Sequence, residues 1–126
     1  MKIQQLIPKD KSDIETAEKL SGHSYDEIKS IVPELLTWIQ DMNWPVARPV
    51  ADYLESISEH LTLDLLEILK GTDDIWKYWT LHVFGLWSKN PVDKRLMDEI
   101  KRIATTPTKG EQTEEVDQIA RQIIGA

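Results

Sequence analysis

Cysteine is absent from the 126-residue chain. That excludes disulfide frameworks, thiolate chemistry and zinc knuckles together, and it permits a reducing compartment. Glycine is scarce, five residues with no Gly-rich cluster, so no phosphate-cradling loop or nucleophile elbow is present. Basic residues are outnumbered, 15 against 22 acids. The resulting net charge of −7 repels phosphate backbones and attracts basic surfaces, which makes nucleic acid an unsuitable partner. Long apolar runs are missing too. The best, Leu81 to Trp87, is interrupted by His82 and Gly85 and falls far short of the roughly 20 residues a membrane helix needs. The N-terminus, Met1 to Pro8, has one lysine but no apolar stretch of signal-peptide length. These absences lead us to expect a cytoplasmic protein that uses no membrane.

What the chain does have is apolar spacing of three and four rather than two, which predicts helices throughout and no strand. Ser12 with Glu15 has the pattern of a capping box and opens a short helix over residues 13–21, stopped at Gly22. Ser24 with Glu27 repeats the signal and leads into Ile28, Ile31, Val32, Leu35, Leu36 and Ile39 on one stripe. Pro33 falls inside that stripe, predicting a kink or two shorter helices. Asp41-Met42-Asn43 makes a corner with Asn43 as cap and Pro45 in the first turn of a 44–59 helix. Val46, Ala47, Val50, Leu54 and Ile57 form its inner side, Arg48, Asp52, Glu55 and Glu59 its outer side.

Leu61, Leu65, Leu66 and Leu69 form a helix closed by Gly71, and Thr72-Asp73-Asp74 opens a 74–88 helix with acids at its positive end. On a wheel of that helix, Ile75, Trp79, His82, Val83 and Leu86 cluster on the side expected to be buried. Lys77, Thr80, Phe84 and Ser88 lie opposite. Asn90-Pro91 marks another start, continued by Leu96, Ile100 and Ile103. Thr105 to Gly110 reads as a loop, and a last helix from Thr113 carries Val116, Ile119, Ala120 and Ile123 and ends near Gly125.

Shifting the chain by 32 residues lays Asp41 on Asp73, Trp44 on Trp76, Val50 on His82 and Leu54 on Leu86. Leu35-Leu36 with Ile39 matches Leu65-Leu66 with Leu69 at a shift of 30. Repeated helix pairs that cannot bury their apolar faces alone stack on one another. The expected fold is all-α: an α-α superhelix of about three antiparallel pairs, resembling HEAT repeats. As a single domain over 1–126 it divides into an N-terminal segment (1–22) and repeats over 24–59, 61–89 and 90–125.

Four stretches carry a narrower resemblance: Leu6 to Ile14, Leu35 to Ala47, Asp73 to Trp79, and Arg102 to Thr108. They resemble a small bacterial family of uncharacterised domains, known only as a domain of unknown function. The resemblance covers nearly the whole chain and implies no activity and no catalytic residues.

Candidate chemistry is sparse. His23, His60 and His82 are scattered, and the one pair at ligand spacing, His60 with Asp64, straddles a helix start where Thr62 or Asp64 would serve as an ordinary capping residue. Adjacent Asp73 and Asp74 point in different directions on a first helical turn, which explains them by capping rather than by acid/base chemistry. His82, placed where Val50 sits in the other repeat, is expected to be buried and neutral. We expect no catalytic residues, no cofactor, no metal site and no enzyme activity. Five tryptophans suit packing between repeats or protein interfaces.

The reading that follows is a non-catalytic protein interaction module. One version is an immunity-type protein that neutralises a basic toxin. The alternative is an enzyme on a HEAT-like scaffold, of nucleic-acid base repair type, disfavoured by the acidic charge. The candidate partner-binding surface is Asp52, Glu55, Thr80, Phe84 and Trp87. A polar helix side should not carry Phe84 unless something covers it. Two coverings are open: a partner, or the N-terminal segment with Ile3, Leu6 and Ile7, which has no other obvious docking place.

Overall fold

The computed structural model describes residues 2–125. Met1 and Ala126, the ends of the domain expected from the sequence, lie outside them. The fold is all-α, with no strand among the described residues. Among the described residues no helix is long and apolar enough to cross a membrane. The chain forms two compact units that meet at His60 and Leu61, so the helices related by the 32-residue shift belong to different units.

The first unit is made of short, interrupted helices. Its α1 is Ile14–Glu18, α2 Tyr25–Ile28, α3 Val32–Thr37 and α4 Ala47–Ser56. The cap of α1 is Asp13, whose side chain accepts from the Thr16 amide at 3.3 Å, and not Ser12, whose own amide donates to Asp10. The second capping box is as expected: Ser24 and Glu27 each accept the other's amide. Pro33 divides that stripe into two helices, with a 3-10 turn over Lys29–Ile31 between α2 and α3. The Asp41 side chain, not Asn43, organises the next corner, accepting the Asn43 amide at 2.8 Å, and α4 begins only at Ala47. Trp38, which lies off the apolar stripe, closes edge-on against Trp44 at 5.8 Å.

Packing in this unit is apolar. Leu6, Leu20, Ile28, Leu35, Ile39 and Leu54 are fully buried, and α4 turns Ala47, Val50, Ala51 and Leu54 inward as its pattern requires. The N-terminal 3-10 turn Ile3–Leu6 packs against α1, a docking place the sequence had not revealed.

The second unit contains α5 (Thr62–Leu69), α6 (Asp74–Leu81), α7 (Lys94–Thr105), α8 (Lys109–Thr113) and α9 (Val116–Ile124). Helix α7 packs along α9, and α5 and α6 pack on this pair from α7 and α9 respectively. Helix α7 starts at Lys94 under an Asp93 cap, three residues past the Asn90-Pro91 signal. Helix α8 begins inside the stretch expected to be a loop and ends at Thr113, where the last helix was expected to open. Its Thr108-x-x-Glu111 box is complete, with the Glu111 amide donating to Thr108 Oγ1 at 3.1 Å and the Thr108 amide to Glu111 Oε1 at 2.8 Å. Helix α9 ends at Gly125 in the left-handed conformation, φ 75°.

Candidate functional site: the aromatic side of helix α6

Helix α6 starts as expected, with the Asp73 side chain accepting the Trp76 amide at 3.0 Å. Asp74 does something else: its carboxylate pairs with Lys77 Nζ at 3.0 Å. Lys77 is itself buried and reaches Glu111 Oε2 at 2.9 Å. Glu111, fully buried, also takes Arg102 in a two-pronged pairing, both contacts 2.8 Å. Arg102 in turn holds Glu99 at 3.0 Å. One carboxylate therefore gathers α6, α7 and α8 around a chain of charges.

Burial alone would push the Glu111 carboxyl up. The Arg102 guanidinium, the Thr108 amide and Lys77 outweigh burial and hold it at about 2. Burial opposes the Lys77 charge too, and Glu111 and Asp74 outweigh it, so its pKa is raised. Gly110 is part of the arrangement, because a Cβ there would run into the Asp74 carboxylate.

Seating Lys77 inward fixes which side of α6 is buried, and it is not the expected one, although Val83 is buried as expected. Lys77, Thr80, Leu81 and Phe84, at spacings of three and four, form the buried stripe. Ile75 is 51% exposed and Leu86 37% exposed. Residues His82–Trp87 continue α6 as a π-helix, marked by the Ser88 amide reaching back five residues to the Val83 carbonyl at 3.1 Å. The wider turn lets neighbours Val83 and Phe84 both go inward, while Leu86 and Trp87 stay out. Gly85 lets this turn approach Ile123 of α9.

The expected partner surface therefore does not form as proposed. Phe84 and Thr80 are buried, 7% and 1% exposed. The reason is the rotation imposed by Lys77, and the Thr80 hydroxyl has no hydrogen-bond partner among the described residues. Asp52 is exposed on α4, paired with Arg48 at 3.1 Å, and Glu55 is half-buried; both belong to the first unit. Asp52 borders a groove there with Glu18, Pro49, Tyr53 and Ser56. Only Trp87, 39% exposed, keeps its expected place on the outward side of the second unit.

In place of that surface, the outward side of α6 carries linked rings. Tyr78 and Trp79 stand nearly perpendicular, 83° with centroids 5.1 Å apart. His82 stacks on Tyr78 at 6.0 Å and meets Trp87 edge-on at 4.7 Å. The His82 imidazole is half-buried rather than fully enclosed. Its Nδ1 is nevertheless shut from solvent with no partner among the described residues, and burial lowers its pKa.

Two concavities flank these rings. One, about 340 Å³, is bordered by Ile75, Tyr78 and Trp79 on one side and Thr113, Glu114 and Glu115 on the other. The second lies between Tyr78, His82 and Leu86 and the α9 residues Gln118, Ile119 and Gln122. Glu115 borders both, held at φ 61° in the left-handed region where a non-glycine residue is strained. A Thr108-x-x-Glu111 signal was available in the sequence to find α8; nothing in the local pattern announced that Lys77 would be drawn inside.

Among the described residues no group of three or more histidine or acidic side chains is arranged to hold a metal ion. His60, suspected with Asp64, stacks instead on Tyr25, ring centroids 4.6 Å apart. No curated protein matches the chain. A family model described as Domain of unknown function (DUF5071) matches residues 6–124, nearly the whole chain, and the protein belongs to that family.

Proposed function

We propose that the protein is a non-catalytic interaction module that docks another protein on the aromatic side of α6 and its π-helical continuation. The observation that carries this reading is the exposure of Ile75, Leu86 and Trp87 beside the half-buried rings of Tyr78 and Trp79, while the opposite side of the same helix buries a lysine. Tryptophan and tyrosine are favoured anchors in interfaces because they supply large contact area with few torsions to freeze. The net charge of −7 supports a partner with a basic surface. An immunity-type role against a basic toxin, in a bacterial cytoplasm, is the specific version of this proposal; the HEAT-like scaffold in it rests on the 32-residue sequence shift. A coding region beside a secreted toxin would support that version.

The test is affinity capture from the native host followed by mass spectrometry, with wild type, Ile75→Arg and Trp87→Ala side by side. Ile75→Arg falls on an exposed side chain and should leave folding nearly unchanged, while Trp87→Ala also removes a ring that meets His82, so thermal melts of both variants accompany the capture. Proteins captured by wild type and lost with both variants are the expected result. Identical capture by all three refutes docking on this side. Phe84→Ala is unsuitable as a probe, since truncating a buried phenylalanine costs about 3–5 kcal/mol.

A further inference from the structure

The groove between Ile75, Tyr78 and Trp79 and the α8–α9 junction combines two features that together define a guest. Tyr78 and Trp79 form a corner of two nearly perpendicular π-faces, 83° apart. Facing them, Glu114 and Glu115 are exposed carboxylates, and among the described residues neither is engaged in an ion pair. Tyr78, Trp79, Glu114 and Glu115 all border one concavity of about 340 Å³. That is near the lower end of ligand-sized pockets, the scale of one long side chain rather than a large cofactor.

An aromatic face attracts a cation through its quadrupole, and a carboxylate attracts it through its charge. A guanidinium uses both at once: it is flat enough to stack on a ring, and its fork of donors pairs with a carboxylate. An ammonium is a strongly hydrated point charge that gains less from stacking. An acidic chain also draws basic partners toward it before contact.

We propose that this groove receives an arginine side chain of a basic protein partner, its guanidinium stacked in the Tyr78–Trp79 corner and paired with Glu114 or Glu115. The assignment rests on the docking reading above and adds to it the identity of the anchor. Tyr78 and Trp79 supply the stacking surface, Ile75 covers the aliphatic stem, and the two glutamates select positive charge.

The test uses the full chain and three synthetic dodecapeptides alternating glycine with arginine, lysine or citrulline. Citrulline keeps the shape of arginine without its charge. Binding is followed by two-dimensional NMR at the Trp79 indole and at the Ile75, Glu114 and Glu115 amides. The arginine peptide is expected to shift these signals and to bind at least tenfold more tightly than the citrulline peptide. Its affinity should fall about tenfold in the Glu114→Gln/Glu115→Gln double variant, and as much in Trp79→Leu read at the remaining amides. Thermal melts of both variants would confirm that they fold.

Equal binding of arginine and citrulline peptides overturns the proposal, as does a shift pattern confined to other residues. Equal binding of arginine and lysine peptides overturns the choice of guanidinium. If no peptide binds at millimolar concentration while host proteins are still lost with Ile75→Arg, the anchor assignment fails and the docking reading stands. If capture is also unaffected, both fail.

Discussion

Helices α4 and α6 look alike in sequence, each an amphipathic segment entered through an acid-and-tryptophan corner, yet their patterns do not read the same way in three dimensions. In α4 the apolar residues face inward, and Arg48 and Asp52 pair with each other on the surface. In α6 a lysine faces inward and the isoleucine at 75 faces out. The difference lies in what the charge can reach. Arg48 pairs with its helix neighbour Asp52 where both side chains are exposed, a contact worth little in water. Lys77 reaches a carboxylate already committed to Arg102 and to an amide, so its burial is compensated by a ready-made acceptor. Hydropathy periodicity finds the buried side of a helix when charged residues are solvated, and it fails when a distant partner draws one inside.

The largest expected effect comes from removing that partner. Glu111→Ala removes the carboxylate shared by Lys77, which keeps Asp74, and Arg102, which keeps Glu99, and should cost about 3 kcal/mol in urea unfolding. A loss below about 1 kcal/mol would mean the buried charges do not organise the second unit.

Acid offers the same perturbation without mutation. The folded Glu111 pKa, about 2, lies below its ordinary value of 4.5, so the unfolded chain binds the proton first. The stabilisation is present above pH 4.5 and is lost as pH falls toward 2, on the order of 3 kcal/mol in all. Stability curves at pH 5, 4, 3 and 2 for wild type and Glu111→Ala should therefore converge. Parallel curves would contradict the assignment.

Gly110→Ala is a smaller change in the same place. The added methyl must push the Asp74 carboxylate away from Lys77, and losing that buried contact, set against the better helix propensity of alanine, leaves a net cost of about 1 kcal/mol. The expected signature is a lower melting temperature with no matching effect from Gly22→Ala, where a Cβ meets nothing.

His82 gives a weaker signal at higher pH. Its folded pKa is lowered by burial, so its contribution is intact above the unfolded value near 6.5 and declines as pH falls through the folded value. An NMR titration should show a midpoint below 6.5, and a normal or raised midpoint would be incompatible with an imidazole sheltered among Tyr78, Trp79 and Trp87. Smallest of all, Arg48→Ala on α4 should change stability by about 0.5 kcal/mol or less, which completes the contrast between the two helices.

Much of the architecture was legible because it is encoded locally. The Ser24–Glu27 box, the break at Pro33, the inner side of α4 and the stop at Gly125 each depend on residues within a turn of one another. The site was less legible. Lys77 and Glu111 are 34 residues apart, and no periodicity within α6 reports on a carboxylate carried by α8. The π-helix compounds the difficulty, since a wheel drawn at α-helical spacing misplaces residues after His82. Of the five residues read as a partner surface, Phe84 and Thr80 were assigned outward because Lys77 shares their side of the wheel, an inference that reverses once the lysine itself is inside.

Glu115 shows what such a site asks of selection. At φ 61° between α8 and α9 the backbone favours glycine or asparagine, so folding considered by itself would discard the glutamate. The residue is exposed and borders both concavities beside the rings, where a single carboxylate could serve either. Substitutions that relax this turn would raise stability while emptying the grooves of charge, so a search for more robust variants would tend to select against binding at this position.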